Sequence, residues 1–197
     1  SASRAVRTPS RSDTSINLNA GVSAIIGSPG FASEELYAFE AGYRKRTSDS
    51  LSFDLSTFFN IYDNLRTVDI IVAPNLPITR GQRVVNNGME GTSFGFETAL
   101  TWKPVSWWTL KSAYSFIQID LDEDSGVNAN GLSSDEEQTR TPQNMVTLTS
   151  QMNLPQDLEF DTSFRFVDAL ESIDVPYYYV IDVRLGWQPR HNIDLSF

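Results

Sequence analysis

The chain has 197 residues, a formal net charge of −10, one histidine and no cysteine. Its length suits a single domain, the lack of cysteine excludes a disulfide framework or a thiolate metal site, and its acidic charge argues against nucleic-acid binding, which needs a basic surface. No run of roughly 18 apolar residues offers a membrane-spanning helix, and no signal peptide is recognisable.

Apolar and polar residues alternate with period two along most of the chain, which predicts β-strands. The predicted strand segments are, in chain order, 1–6, 36–44, 51–62, 92–102, 108–116, 144–154, 158–167, 177–188 and 193–197. Short connections are predicted at 46–50, 104–107, 155–157 and 189–192, and longer ones at 7–34, 63–88, 121–143 and 168–176. A soluble sandwich has no reason to alternate its loops by length. Outer-membrane β-barrels do so, with short periplasmic turns and long extracellular loops.

Residues 92–116, TSFGFETALTWKPVSWWTLKSAYSF, show the alternation most clearly. Phe94, Phe96 and Trp102 fall on one face, and Glu97 and Ala99 fall on the other. Each strand runs for about ten residues, where about five or six are usual in globular proteins. An apolar face with aromatic residues at both ends, opposite a polar face, is typical of a transmembrane β-barrel. We therefore predict an all-β fold, an antiparallel meander that forms part of such a barrel, with a soluble β-sandwich as the alternative.

The predicted strand directions indicate that the barrel is incomplete. The segment 193–197 follows a short turn, so it runs away from the periplasmic side. A closed bacterial barrel has an even number of strands and returns its C-terminus to the periplasm. We therefore expect at least one further strand after residue 197 and the beginning of a strand before residue 1. The domain assignment is one partial barrel, 1–197.

Six stretches together resemble the C-terminal half of TonB-dependent outer-membrane receptors. They are SASRAVRTPSR at 1–11, SEELYAFEAGYR at 33–44, LSFDLSTFFNIYDNLR at 51–66, GTSFGFETALTWKPVSWWTLKSAYSFIQIDL at 91–121, TPQNMVTLTSQMNLPQDLEFDTSFRFVD at 141–168 and YYYVIDVRLGWQPRHNIDLSF at 177–197. The resemblance implies that the nine segments belong to a barrel of about 22 strands around an N-terminal plug. The plug, its coupling segment and the last strand or strands are expected to lie outside 1–197.

The resemblance also implies a function. It implies active uptake of siderophore-iron or another scarce nutrient through the outer membrane of a Gram-negative bacterium, powered by the TonB energy-transducing complex. Expected partners are outer-membrane lipid, the plug, that complex and a small-molecule or metal-chelate substrate, and no cofactor is expected. The alternative is a soluble β-sandwich that serves as a carbohydrate-binding or adhesive module.

An acidic run follows the central hairpin. Asp120, Asp122 and Asp124 have the spacing of the first three EF-hand ligands, but the sixth position is Ser125 and the twelfth is Gly131, where that motif needs Gly and Glu. We interpret this run, and the acidic residues 135–137, as a solvated acidic loop, with weak calcium binding as the alternative. No metal site is predicted.

Loop and interior positions supply the candidate ligand-binding residues, Tyr62, Arg66, Arg80, Arg83, Glu97 and Lys111. Arg80 and Arg83 are candidates for binding an anion, because guanidinium pairs bidentately with carboxylates; ordinary solubilising loop charge is the alternative. Glu97 and Lys111 belong to a row of inward charges that we interpret as a structural ladder, with substrate contact as the alternative. The row comprises Glu40, Arg44, Asp54, Glu97, Lys111, Asp161, Arg165, Asp182 and Arg184.

Outward aromatic residues are predicted to form a membrane-interface girdle rather than a stacking platform for sugars. They are Trp102, Trp108, Tyr114, Phe116 and Trp187. No catalytic residue is predicted, because no nucleophile has an adjacent base and the one histidine, His191, lies in a predicted turn. The chain is therefore not expected to be an enzyme; an outer-membrane hydrolase would need a Ser/His pair inside the wall.

Overall fold

A computed structural model describes residues 1–19, 23–72, 81–124, 134, 138–190 and 192–197. Strands dominate it. They are β1 (Ala2–Arg7), β2 (Asn17–Asn19), β3 (Ser23–Ile26), β4 (Glu34–Ser48), β5 (Leu51–Val72), β6 (Gly81–Val105), β7 (Trp108–Glu123), β8 (Asn144–Leu154), β9 (Leu158–Val167), β10 (Tyr178–Arg190) and β11 (Ile193–Ser196). One α-helix, α1 (Arg11–Ser15), and a 3₁₀ turn (Glu171–Ile173) complete the described elements. Neither helix is long and apolar enough to cross a membrane.

The strands pair in the order β1-β4-β5-β6-β7-β8-β9-β10-β11, so that consecutive long strands are neighbours. The short strands β2 and β3 pair with each other, and β3 also pairs in parallel with β6. Within the described residues β1 and β11 end the order, and the sheet is not closed. This arrangement confirms the predicted all-β antiparallel meander.

The predicted long connection at 63–88 is wrong at both ends, because β5 continues to Val72 and β6 begins at Gly81. The turn-like residues 86–88 serve tertiary hydrogen bonds inside β6 instead. Asn87 Oδ1 accepts from the Ala32 backbone N–H at 2.6 Å, and its Nδ2 donates to the Asn64 carbonyl at 2.6 Å. The Gly88 N–H donates to Thr67 Oγ1 at 3.1 Å. Polar residues that indicate a turn in isolation are therefore compatible with a strand here, because neighbouring segments satisfy them.

The predicted loop at 7–34 has regular structure of its own. It contains α1, β2 and β3, with residues 20–22 outside the described ranges. A capping box starts α1: Ser10 Oγ accepts from the Asp13 N–H, and the Asp13 carboxylate accepts from the Ser10 N–H at 2.8 Å. Such reciprocal bonds satisfy N–H groups that the first turn of a helix leaves unpaired. We call residues 8–33 the first connection.

The chain divides into two compact units. Unit 1 comprises Ser1–Phe39, Phe59–Phe94 and Ile119–Thr141. It holds the buried hydrophobic residues of the described chain, Phe31, Val85, Met89 and Leu121, and the buried polar residues Asp13, Thr67 and Ser93. The first connection contributes Phe31 and Asp13, so its folding buries part of this small core.

Unit 2 comprises Glu40–Phe58, Gly95–Gln118 and Pro142–Phe197. Its strand register brings residues of like character opposite one another. Ser112, Leu148, Phe164 and Ile181 form one transverse row, and the next row on the opposite face is Lys111, Thr149, Ser163 and Asp182. Directly opposite residues on paired strands share a face. The sequence alternation therefore becomes one apolar and one polar face in the sheet.

Candidate functional site

The polar face of unit 2 has an open recess of about 500 Å³. Its lining is largely made of short side chains, Ser56, Ala99, Ala113, Ser115 and Thr147. Small residues on the four neighbouring strands β5–β8 leave room above the sheet for a side chain or ligand that is not part of it. The recess is therefore the candidate functional site that the geometry of unit 2 offers.

Charged side chains line the same recess. Arg44 Nε pairs with Asp54 Oδ1. Glu97 also lines the recess and is exposed, and within the described residues it makes neither a hydrogen bond nor an ion pair. Because the Arg44 and Asp54 charges compensate each other, the carboxylate of Glu97 leaves the recess with a net negative charge. Such a recess favours a cationic or hydrogen-bond-donating group.

Two further positions of the predicted inward row also form ion pairs. Arg184 Nη1 lies 2.7 Å from Glu159 Oε2 and 2.9 Å from Asp161 Oδ2. These side chains connect β9 to β10, and their exposed fractions are 44% for Arg184, 49% for Glu159 and 28% for Asp161. Exposed pairs of this kind contribute little to stability. Lys111 has no charged partner within the described chain and is exposed on the polar face.

A separate hydrogen-bonded cluster lies in unit 1. The hydroxyl of Ser93, which is buried, lies 3.1 Å from both the Tyr62 hydroxyl and Asn60 Nδ2. Tyr62, a predicted ligand-binding residue, is half-buried and already satisfied by these neighbours. The cluster connects β5 to β6 and holds the Tyr62 ring in one orientation.

Asp13 is the centre of an ionic cluster in unit 1. Its carboxylate lies 3.1 Å from Arg7 Nη1 and 3.2 Å from Arg66 Nε, and its exposed fraction is 1%. Glu34 accepts from the Arg66 backbone N–H at 2.8 Å and pairs with Arg7 Nε at 3.1 Å. Burial by itself raises the pKa of the Asp13 carboxyl. The hydrogen bonds from Ser10 and the charges of both arginines outweigh it, so that the pKa lies below its usual range.

The guanidinium of Arg66 is engaged by this ionic cluster. The sequence analysis groups Arg66 with candidate ligand-binding residues, but the structure places its guanidinium against Asp13. Arg83 lies in β6 opposite Ile25 of β3, with an exposed side chain. Arg80 and His191 lie outside the described residues. Glu97 therefore lines the recess of unit 2, whereas Tyr62 and Arg66 belong to two separate hydrogen-bonded clusters of unit 1.

The sequence analysis missed Asp13, although one pattern pointed to it. Ser10 followed three residues later by an acidic residue is a helix-start pattern, and the basic residue Arg7 precedes it. Nothing in the sequence indicated that Arg66, more than 50 positions away, would complete the cluster.

The acidic run of the third long connection falls only partly within the described chain. Asp120 and Asp122 are in β7, Asp124 follows it, and residues 125–133 and 135–137 lie outside the described ranges. Among the residues that are described, no three Asp, Glu, His or Cys side chains are close enough to hold a metal ion.

The predicted girdle residues fall on the apolar face of unit 2, where some of them contact other aromatic rings. The Phe96 ring lies 5.5 Å from Tyr114 and 5.7 Å from Phe116, measured between centroids. Near the short turn, Trp107 stacks on Trp108 at 6.3 Å, and Trp108 Nε1 donates to Ser150 Oγ at 2.9 Å. The exposed fraction of Trp102 and Trp187 is 44% each.

Two aromatic contacts on β9 and β10 were not anticipated. Phe166 lies 6.1 Å from Tyr177, and Phe164 stacks on Tyr179 at 6.5 Å. The run of three tyrosines at 177–179 is the sequence feature that could have indicated them. The exposed fractions of Tyr177 and Tyr179 are 62% and 65%.

A known protein family matches the chain over its full length. A family model described as "TonB dependent receptor-like, beta-barrel" matches residues 1–197. A search of curated protein sequences finds no match.

Solved structures with the same fold are numerous. The copper transporter OprC is 11% identical with a TM-score of 0.65, and the ferric yersiniabactin uptake receptor FyuA from Yersinia pestis is 13% identical with a TM-score of 0.62. A mutant of the ferric enterobactin receptor PfeA from Pseudomonas aeruginosa is 15% identical with a TM-score of 0.66. Each match covers 99% of this chain but only 29%, 28% and 31% of those proteins, respectively. These likenesses show the fold of the sheet, and the chain spans less than a third of the length of each similar structure.

Proposed function

The chain belongs to the TonB-dependent receptor β-barrel family, and from this membership we propose that it forms part of the wall of an outer-membrane uptake receptor. In this proposal the chain is a single partial barrel in the outer membrane of a Gram-negative bacterium. Its apolar face contacts lipid, and its polar face lines the interior.

The apolar face is the observation that carries the proposal. Large hydrophobic side chains of unit 2 repeat at alternate positions of its strands with exposed fractions of about 40–60%, among them Leu100, Trp102, Leu148, Ile181 and Val183. In the described residues no protein layer covers them. A soluble sandwich would bury one such face beneath a second sheet, and a continuous exposed apolar surface marks a membrane or partner contact. The membrane-barrel reading is therefore favoured over the soluble β-sandwich module.

The spacing of the aromatic residues supports the same proposal. Phe94 and Trp102 are eight residues apart on β6, and Trp108 and Phe116 are eight residues apart on β7. Eight residues span about 27 Å along a strand, or about 20 Å along the axis of a barrel at a tilt of about 40°. The lipid-facing band of such barrels is about 25 Å tall, with aromatic girdles at its edges. We propose that Trp102, Trp108, Trp187, Tyr114 and Phe116 belong to these girdles.

The substrate is proposed at the level of class. The similar structures include receptors for ferric siderophores and a copper transporter. We propose that the receptor takes up siderophore-iron or another scarce metal-chelate nutrient, with energy from the TonB complex, and without catalysis by this chain. Its interior partner is a plug domain outside residues 1–197, which meets Glu97 and the small-residue recess.

The face assignment predicts a sharp contrast between two adjacent residues. We expect a nitroxide at position 96 to be accessible to oxygen dissolved in the bilayer, and one at position 97 to be shielded from it. The reason is that Phe96 contacts Tyr114 and Phe116 on the apolar face, whereas Glu97 lines the polar recess. Electron paramagnetic resonance in lipid vesicles measures both accessibilities. Equal values would contradict the proposal that this sheet lies in a membrane.

Uptake is tested with the complete receptor in cells that lack it. We expect cells that express it to accumulate radiolabelled iron from one ferric siderophore, and to lose this uptake when TonB is deleted. A panel of catecholate and hydroxamate siderophores, copper and cobalamin identifies the substrate class. Uptake that persists without TonB would overturn the proposed energy source.

A further inference from the structure

The first connection leaves β1 and reaches β6, which lies three strands away in the sheet order β1-β4-β5-β6. Neighbouring strands are about 4.8 Å apart, so this distance is roughly 14 Å. On the far side, β3 pairs in parallel with residues 81–84 of β6. The chain then returns to begin β4 at Glu34, next to β1. The first connection therefore crosses one end of the sheet in both directions.

The crossing lies on the face of unit 1 that is opposite its exposed apolar side chains. Tyr37 of β4 is one of those exposed side chains. Glu34 is three residues before Tyr37 and pairs with Arg7, so these two side chains point to the other face. The Asp13 carboxylate of the connection lies 3.1 Å from Arg7 Nη1 and 3.2 Å from Arg66 Nε of β5. These ion pairs hold the connection against that second face, which we call the inner face of unit 1.

Burial on β6 shows the same difference between the two faces. Phe94 is exposed, whereas the adjacent Ser93, on the opposite face, is buried. Met89 and Val85 lie four and eight residues before Ser93, on the same face of the strand, and both are buried. Phe31 of the first connection is buried as well. The connection thus adds to a small core on the inner face, while the apolar face stays exposed.

The outgoing and returning parts of the connection are bonded to each other. The Gly27 N–H donates to the Ile16 carbonyl at 2.8 Å, and the Ser28 N–H donates to the Asp13 carbonyl at 2.8 Å. A Cβ atom at position 27 would lie 2.6 Å from the Ser15 backbone nitrogen, so this close approach requires glycine. Residues 8–19 and 23–33 therefore form one compact piece, which we call the strap.

We propose that the strap narrows the extracellular opening of the barrel and limits the size of the molecules that enter it. The inference rests on the proposed function, in which the apolar face contacts lipid and the opposite face lines the interior. Long connections are extracellular in barrels of this kind. A strap that is held against the inner face at that end of the strands lies across the entrance.

Ser15 is the position from which the entrance can be probed. Side chains two residues apart on a helix project about 200° apart, in nearly opposite directions. Asp13 is buried against the sheet, and Ser15, two residues later on α1, is exposed. Its side chain therefore projects from the strap away from the sheet, into the space that narrows.

The test measures how large a reagent can reach position 15 of the complete receptor in intact cells. Residues 1–197 contain no cysteine, and any cysteine elsewhere in the receptor is replaced by serine. Ser15→Cys is labelled from outside with maleimides that carry polyethylene glycol chains of increasing length. We expect the shortest reagent to label it readily and the longest to react at least about tenfold more slowly, because the longest reaches the thiol only when the strap opens locally.

Ile173→Cys is the matched control. Ile173 is an exposed residue of the 3₁₀ turn in the connection at 168–176, and we expect it to react with all of the reagents at similar rates. Similar rates at Ser15→Cys for the shortest and the longest reagent would place the strap outside the opening and overturn the inference.

Gly27→Val tests whether the strap sets the size limit. Its side chain is expected to separate the two parts of the strap, and to raise the rate at which the longest reagent labels Ser15→Cys about fivefold or more. Unchanged labelling of Ile173→Cys in the same background shows that the barrel is still folded. No increase at position 15 in such a folded variant would overturn the inference.

The nitroxide contrast between positions 96 and 97 separates this inference from the proposed function. If that contrast is present and Ser15→Cys reacts equally with all of the reagents, only the strap is wrongly placed. If the contrast is absent, the proposed function fails, and the inference fails with it.

Discussion

Replacing Phe96 with Arg is expected to weaken folding into a bilayer by about 2 kcal/mol, and Ala99→Arg to have a far smaller effect. An arginine on the lipid face of a transmembrane barrel costs about 2–4 kcal/mol at the midplane and less toward the interfaces. Phe96 packs against Tyr114 and Phe116 on the apolar face. Ala99 lines the open polar recess, where an arginine side chain has room and an exposed carboxylate, Glu97, among the lining residues.

The measurement is a urea titration of folding into phosphatidylcholine vesicles, followed by tryptophan fluorescence and by the shift in electrophoretic mobility. Thr98→Arg is the matched control on the apolar face, since it replaces a smaller and more polar side chain at nearly the same depth. We expect its cost to fall between those of the other two variants. A result in which Ala99→Arg is the most damaging would reverse the assignment of the two faces.

Replacing Asp13 with Asn is expected to loosen the first connection. The substitution leaves Arg7 and Arg66 without the buried carboxylate that lies within 3.1–3.2 Å of both. Leaving a buried polar or charged group unpaired costs about 1–3 kcal/mol. Because both arginines are partly exposed, we expect the cost of this substitution to lie at the lower end of that range. We expect amide exchange at Gly27 and Ser28 to accelerate at least about fivefold. These amides donate to the Ile16 and Asp13 carbonyls, and report directly on the connection.

The pH dependence of this effect follows from the lowered pKa of Asp13. A carboxyl whose pKa is lower in the folded state contributes stability that is fully present above its unfolded pKa of about 3.9, and that is lost as pH falls through the folded value. The exchange rates of the wild type and Asp13→Asn should therefore differ at pH 7, begin to converge below about pH 4, and become equal once the pH is below the folded pKa. Asp49→Asn, in an exposed turn, is the control and should change neither rate. Unchanged exchange in Asp13→Asn at pH 7 would show that backbone pairing alone holds the connection.

The fold class could be predicted from the sequence because a sheet with one apolar and one polar face imposes a period of two on each strand. The bounds of β8 and β9 agree with the prediction, since tight turns and clean alternation define both. The strands β5 and β6 extend well beyond the predicted segments. In those parts the alternation gives way to polar residues such as Asn87, whose side chain binds the backbone of other segments. The local sequence pattern does not predict such contacts with remote segments.

The candidate site could be predicted only in part, because it also depends on contacts between remote segments. Alternation places Glu97 and Lys111 on the polar face, but it does not reveal that Ala99, Ala113 and Thr147 from three strands combine into a recess. It also does not distinguish an arginine that is available to a ligand from one such as Arg66 that is held by a buried carboxylate. Both properties depend on strand register and on contacts between remote parts of the chain.

The first connection is stabilised by contacts with residues outside it, and this determines which antibodies can recognise it. Its surface depends on Arg66, on Asn87 and on the pairing of β3 with β6, all of which lie outside residues 8–33. A synthetic peptide of residues 8–33 lacks these supports, so its epitopes are those of a random coil. Antibodies raised against that peptide should label the protein on denaturing blots and fail to bind the folded protein. Antibodies that recognise the folded surface should instead be conformational, and require an immunogen that retains strands β1 and β4–β6.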